Sequence, residues 1–253
     1  MYFDTHAHLD DKAFDHDREE LMVSLLDAGV ELVLNPGCDE ESSRNAATLA
    51  ARHNDMWFAA GIHPEELAAW TDDSLERTLS LTEEAKCAAI GEIGLDYYWD
   101  DSQKERQQEL FHRQLSFAKE KDLPVIVHDR EAHGDCLHIV KQYPGLRGVF
   151  HCYSGSAETA KELLRLGWYL GFDGPVTYKN ARKLPEVLAV CPPERILLET
   201  DSPYLSPVPK RGKRNDPSNL VYICAKIAEC KGMDAGELAQ ITLQNGKTLF
   251  SIP

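Results

Sequence analysis

The sequence predicts a (β/α)8 barrel, the TIM-barrel architecture, as one domain over residues 1–253. Eight short apolar runs alternate with amphipathic stretches from one end of the chain to the other. Its 253 residues are also a length that α/β barrels commonly fill as a single unit of about 200–250 residues. An open doubly wound sheet is the alternative, but no Gly-x-Gly-x-x-Gly turn follows the first run.

The runs are apolar without clean alternation, as expected of parallel strands covered on both faces. YFDTH (2–6) opens the chain, and DREELMVSLLDAG supplies the first amphipathic segment. ELVLN (31–35) is followed by ESSRNAATLAARH, and WFAAGI (57–62) and AAIGEI (88–93) come next. QKERQQELFHRQLSFAKEKD then leads to PVIVH (124–128) and GVFHC (148–152). SAETAKELLRLG precedes WYLGF (168–172), and RILLET (195–200) is the eighth run. Several of the helical segments start after Ser, Asp or Asn and end at Gly, the residues that cap helices. The Pro-rich stretch 202–217 reads as one large loop after the eighth strand, before NLVYICAKIAEC and DAGELAQITLQNGKTLF. No internal repeat or low-complexity tract interrupts the pattern.

Bulk properties narrow the function classes. Seven scattered cysteines without a Cys-x-x-Cys read as reduced thiols, not a disulfide framework or a thiolate zinc site. No basic segment followed by an apolar stretch opens the chain, and no apolar run approaches the ~20 residues of a membrane span. A cytoplasmic protein without membrane partners is the expectation, and a monomer, because no heptad or exposed apolar stripe stands out. The net charge of −15 repels polyanions at long range, which disfavours a duplex-coating protein held by phosphate contacts. One basic cluster exists, Lys210, Arg211, Lys213 and Arg214; it could be a solvated loop or a guide for an anionic strand.

Chemistry collects at the C-terminal ends of the strands. His6 and His8 end the first, where residues two apart on a strand share a face. His63 ends the third, Glu92 and Asp96 the fourth, His128 and Arg130 the fifth, His151 the sixth, Glu199 and Asp201 the eighth. In a barrel these ends open onto one face, where active sites of the fold are built. Such a cluster is expensive to desolvate unless cations compensate it. Imidazole with carboxylate suits Zn²⁺, Mn²⁺, Fe²⁺ or Mg²⁺, and six strong ligands exceed what one tetrahedral ion uses. Two ions sharing a bridging carboxylate, about 3.5–4 Å apart, would use them all. Glu199 and Asp4 lie one layer below Asp201 and His6, positions suited to orienting a ligand.

These stretches also resemble a known family. MYFDTHAHLD, GIHP, GEIGLDYY, VHDR, FHCYSG, ETDSPYL and KRGKRNDP, in this order, are similar to the TatD family of metal-dependent deoxyribonucleases, within the amidohydrolase-like hydrolase superfamily. The resemblance implies two divalent ions (Mg, Mn or Zn) and phosphodiesterase action on DNA ends. It implies His6, His8, Glu92 and Asp201 around the first ion, and Glu92 as bridge with His128 and His151 around the second. Asp201 would accept the proton of the attacking water, Glu92 and Asp201 forming the catalytic pair. His63 and Arg130 would contact the scissile phosphate; Asp96 would either hold a loop or join them at the substrate. A single-stranded or frayed 3′ end is the expected substrate, since a duplex does not fit deep into a barrel mouth. Two other readings share these residues: a small-molecule hydrolase of the same superfamily acting on a lactone, cyclic amide or phosphoester, and a metal-containing scaffold without turnover.

Overall fold

The computed structural model describes residues 1–68, 70–99 and 101–253. Eight strands form one all-parallel sheet in sequence order: β1 (Tyr2–Asp4), β2 (Val30–Pro36), β3 (Met56–Ala60), β4 (Cys87–Asp96), β5 (Val125–Arg130), β6 (Gly148–Phe150), β7 (Tyr169–Phe172) and β8 (Ile196–Leu198). Between and after them run α1 (Arg18–Leu25), α2 (Glu40–Arg52), α3 (Asp72–Ser80), α4 (Lys104–Lys121), α5 (His133–Val140), α6 (Ala157–Arg165), α7 (Leu184–Val190), α8 (Leu220–Lys231) and α9 (Ala235–Phe250). The sheet closes on itself where the Thr5 N–H and hydroxyl both donate to the Leu198 carbonyl, the Asp201 N–H to His6, and the His8 N–H to Ser202. This is the (β/α)8 barrel that the alternating pattern predicts. No described helix is long and apolar enough to cross a membrane.

Local chemistry explains the boundaries. Asp39 and Ser42 form a reciprocal capping box at the start of α2, and Thr71 with Ser74 does the same for α3. Ser156 caps α6 and Asp234 caps α9 through side-chain oxygens on the first free N–H groups. Gly232 ends α8 with φ near +66°, the left-handed conformation that suits glycine after a helix.

Two layers of core sit either side of the sheet. Phe3, Leu34, Ala59, Ala89, Ile126, Val149, Tyr169 and Leu197, one from each strand, pack together with Leu249 and Phe250 of α9. The alternate residues, among them Val33, Phe58, Ile90, Val125, Phe150 and Leu198, join the larger cluster that the surrounding helices share. Stepping by two along each strand from the inner set leads straight to chemistry. Ile126 is followed by His128, Val149 by His151, Ala59 by Gly61 and His63, and Leu197 by Glu199 and Asp201.

Two strands depart from that parity. β1 ends at Asp4, earlier than the 2–6 expected, so His6 and His8 lie on the extended segment beyond it. β4 runs on to Asp96, past the expected residue 93, and its register against β5 shifts between Ile90 and Ile93. That shift turns Glu92 inward, although it stands three residues after inner Ala89. Beyond the shift, Gly94 pairs with His128, and any Cβ there would meet the His128 carbonyl at 2.0 Å.

The loop after β8 is pinned rather than free. Asn215, fully buried, donates to the Thr200 carbonyl at 2.8 Å and accepts from Asn219 at 2.8 Å and from the Asp216 N–H at 3.1 Å. Arg214 donates both ends of its guanidinium to Asp17, at 2.7 and 2.6 Å, and lies over Phe14. Arg214 is thus a clasp between this loop and the start of α1, not a free cation. Replacing Asn215 with Ala strands several buried polar groups and is expected to cost about 2 kcal/mol. Urea unfolding should show an earlier midpoint at unchanged slope; an unmoved midpoint would contradict the pinning.

Candidate metal centre

Side chains from six strand ends meet at the mouth of the barrel. The His6 and His8 Nε2 atoms approach to 3.2 Å. Glu92 Oε2 lies 3.2 Å from His6 Nε2 and 3.9 Å from His8 Nε2, and Asp201 Oδ1 lies 3.9 and 3.6 Å from the same two nitrogens. Donors about 2.1 Å from a tetrahedral ion stand roughly 3.4 Å apart, so this spacing fits one divalent cation between them. Two imidazole nitrogens that close, both aimed at carboxylates, have no better partner than a metal or shared protons.

A second group adjoins the first through Glu92. His128 Nδ1 lies 2.8 Å from Glu92 Oε1, while its Nε2 lies 2.9 Å from Asp96 Oδ2. The His151 ring stacks on His6 with centroids 3.4 Å apart, its Nε2 3.8 Å from Asp201. Glu92 thus turns one oxygen toward His6 and His8 and the other toward His128. The ligand types, all nitrogen and carboxylate oxygen, suit Zn²⁺, Mn²⁺ or Mg²⁺.

A layer beneath orients these groups. Glu199 Oε2 lies 2.9 Å from His151 Nδ1 and accepts the Cys152 N–H at 3.0 Å. Gly171 on β7 makes room for it, since a Cβ there would meet the Glu199 carboxylate at 2.2 Å. Asp4 does not play the same part for His6. Its buried carboxylate accepts from the Thr200 hydroxyl and N–H and from the His6 N–H, so it fixes backbone between β1 and β8 instead of a ring. Asp201 holds φ near +55°, a costly conformation for a non-glycine residue that persists only where the surroundings impose it. The His6 carbonyl, accepting the Asp201 N–H, is part of that imposition.

Electrostatics follow from burial and mutual charge. Burial lowers the His63 pKa to about 3, helped by His128. For His128 and His151 burial acts the same way, but neighbouring carboxylates outweigh it and raise them to about 9 and about 10. Burial opposes the ionisation of Glu92 and Asp201, yet the facing imidazoles hold both below the ordinary carboxyl range. Both are therefore anionic at neutral pH.

The remaining sequence-singled residues take distinct places. His63 closes on the cluster, its ring 4.2 Å from His128 and its Nε2 3.8 Å from Glu92. Asp96 is 1% exposed; besides His128, it accepts the N–H groups of Tyr98 and Trp99. Arg130 lies on the rim with its guanidinium over Tyr98. It is the one Lys or Arg among the described residues lining the cleft of about 500 Å³ that holds these groups; none of Lys210, Arg211, Lys213 or Arg214 does. Arg211 instead lies over Tyr178.

Two acids escaped the sequence reading. Glu65 stands close enough to His63 and His128 to join them around a cation. Asp173, two residues after Gly171, is buried with one oxygen unpartnered, and burial beside Asp201 raises its pKa to about 8. The same step-by-two rule that finds His128 on β5 finds Asp173 on β7.

Residues 3–251 match the family model described as TatD related DNase. This chain belongs to that TatD family. The Bacillus subtilis (strain 168) protein named uncharacterized metal-dependent hydrolase YabD is 42% identical, covering 100% of both chains. A Cronobacter sakazakii protein named 3′-5′ ssDNA/RNA exonuclease TatD is 37% identical over 98% of this chain and 97% of its own. The crystal structure of YjjV, a TatD homolog from Escherichia coli K12, superposes with a TM-score of 0.94 at 37% identity, over 100% of this chain and 98% of its own.

The layer beneath this TatD-family cluster is testable. Gly171→Ala pushes the Glu199 carboxylate off His151, and Mn²⁺ affinity by titration calorimetry is expected to fall about 10–100-fold, the usual cost of losing such support. Unchanged affinity in a folded variant would contradict it.

Proposed function

We propose that this metal-dependent hydrolase of the TatD family cleaves phosphodiester bonds of DNA, removing nucleotides from single-stranded or frayed 3′ ends. The observation that carries the reading is the meeting of His6 and His8 with two carboxylates, Glu92 and Asp201, each with an oxygen within 4 Å of both imidazole nitrogens, beside His128 and His151. In this reading His6, His8, Glu92 and Asp201 hold one divalent ion, and Glu92, His128 and His151 hold a second. Bound there, divalent cations polarise a phosphoryl oxygen and make water acidic enough to attack near neutral pH.

The chain's own groups do the rest. Asp201, ionised at neutral pH and set at the edge of both groups, accepts the proton of the attacking water. His63, kept neutral by burial, offers a hydrogen bond to the phosphate without adding charge to a centre already crowded with imidazoles. Arg130, at the rim, presents N–H donors in the fork that suits phosphate oxygens. Asp96 acts through His128, fixing which ring nitrogen faces Glu92. The support for nucleic acid over other phosphoesters is the exonuclease name that several relatives carry, with Arg130 at the cleft mouth. Net charge −15 fits an enzyme whose affinity is centred on its metals and not spread over a basic surface.

A 5′-labelled single-stranded oligonucleotide should be shortened stepwise from its 3′ end in Mg²⁺ or Mn²⁺. EDTA should abolish the reaction, and Asp201→Asn should slow it about 1,000-fold, as for the loss of a proton acceptor. No shortening of any DNA or RNA end under these conditions would overturn the proposal.

A further inference from the structure

The turn after β4 carries an aromatic pair that nothing in the chemistry above requires. Tyr98 and Trp99 are 55% and 66% exposed, with their rings edge to face at 4.8 Å. Large aromatic side chains left this open forgo the burial that ordinarily stabilises them. They are nevertheless held in place. One oxygen of Asp96 accepts both their N–H groups, at 2.9 and 3.3 Å, while the other lies 2.9 Å from His128 Nε2. A single carboxylate thus ties the turn to the metal-binding cluster. The Arg130 guanidinium stands 4.0 Å from the Tyr98 ring centre and 5.3 Å from that of Trp99, adding a cation to the platform.

Position gives the platform a use. Trp99 lines the cleft that contains His8, His63, Glu92, His128, His151 and Asp201. It also lines a smaller pocket of about 220 Å³, where Pro64, Leu67 and Ala68 face the polar side chains of Glu65, Asp96, Gln103 and Gln107. The indole therefore stands between the space for a reacting phosphate and a recess beside it that mixes apolar side chains with hydrogen-bonding ones. An unpaired base attached to that phosphate would find a π face with a cation beside it, and a recess whose apolar and polar side chains suit a base's ring and its polar edge. Exposed aromatic faces beside a cationic group are how single strands are held without regard to sequence, at about 1–3 kcal/mol per stacked base. A base inside a duplex has both faces covered and cannot use the platform.

We propose that Trp99, backed by Tyr98 and Arg130, is the stacking face for the nucleobase next to the scissile phosphate, so that the centre selects unpaired nucleotides over phosphodiesters lacking a base. This inference rests on the phosphodiesterase reading, and the experiment separates the two. The wild type, Trp99→Ala and Trp99→Phe are compared in Mn²⁺ on two 5′-labelled oligothymidylates. One is intact; in the other the last two nucleotides carry a tetrahydrofuran in place of base and sugar. The wild type should prefer the intact strand by about tenfold in kcat/KM, within the range of a single stacked base. In Trp99→Ala the preference should collapse toward one, with Trp99→Phe retaining most of it.

A preference equal in the wild type and Trp99→Ala overturns the inference while leaving the nuclease reading intact. Absence of cleavage by the wild type on both strands overturns both. Binding offers a readout that needs no turnover. Trp168 is buried and Trp57 and Trp70 are half-buried, so Trp99 is the tryptophan most open to a ligand. Oligothymidylate added to metal-loaded Asp201→Asn should quench tryptophan emission. The quench should vanish when Trp99→Ala is added to that background, and its persistence would count against stacking.

Discussion

Carboxylates and imidazoles crowded together out of bulk water cannot coexist without positive charge among them, and the rest of this molecule answers to that constraint. Glu92 is 4% exposed and His6 fully buried, so water does little to relieve them. Desolvating an uncompensated carboxylate costs several kcal/mol. In the metal-free protein, protons supply the compensation: His128 and His151 are raised to about 9 and about 10, and Glu92 and Asp201 are held ionised opposite them. Each of those imidazolium protons stands where a cation's charge would. Protons and a metal ion compete for the same ring nitrogens and carboxylate oxygens, so metal binding here releases protons.

Holding such a cluster demands rigidity from the fold, and the barrel supplies it through close approach. Gly94 admits the His128 carbonyl and Gly171 admits the Glu199 carboxylate, each at distances no side chain would tolerate. Asp4, beneath the cluster, spends its hydrogen bonds on Thr200 and on the His6 backbone, sealing β1 to β8. Asn215 and Arg214 then fasten the long loop that follows Asp201. The left-handed backbone of Asp201 is tolerable because these ties surround it.

Much of this was legible in the residues. Eight strands announce themselves because parallel strands covered on both faces read as short apolar runs. Their C-terminal ends announce the cluster because the fold brings them to one mouth. What sequence hides is whatever depends on local register or distant pairing. The shift between Ile90 and Ile93 that turns Glu92 inward leaves no pattern in AAIGEIGLD. Arg214 reads as one of four cations in a basic loop, yet its partner Asp17 lies 197 residues away. Asp4 and Glu199 look alike by position, but only Glu199 reaches a ring, because Thr200 captures Asp4 first. Asp173 obeys the step-by-two rule but lies one residue beyond the apolar run WYLGF, so the run itself does not reveal it.

The account stands or falls on the pair of cations. A crystal soaked in Mn²⁺, with anomalous differences collected near the manganese edge, tests it most directly. Two peaks about 3.5–4 Å apart are expected, one against His6, His8, Glu92 and Asp201, the other against Glu92, His128 and His151. A map with no peak in the cleft, or with manganese bound by none of these side chains, would contradict it.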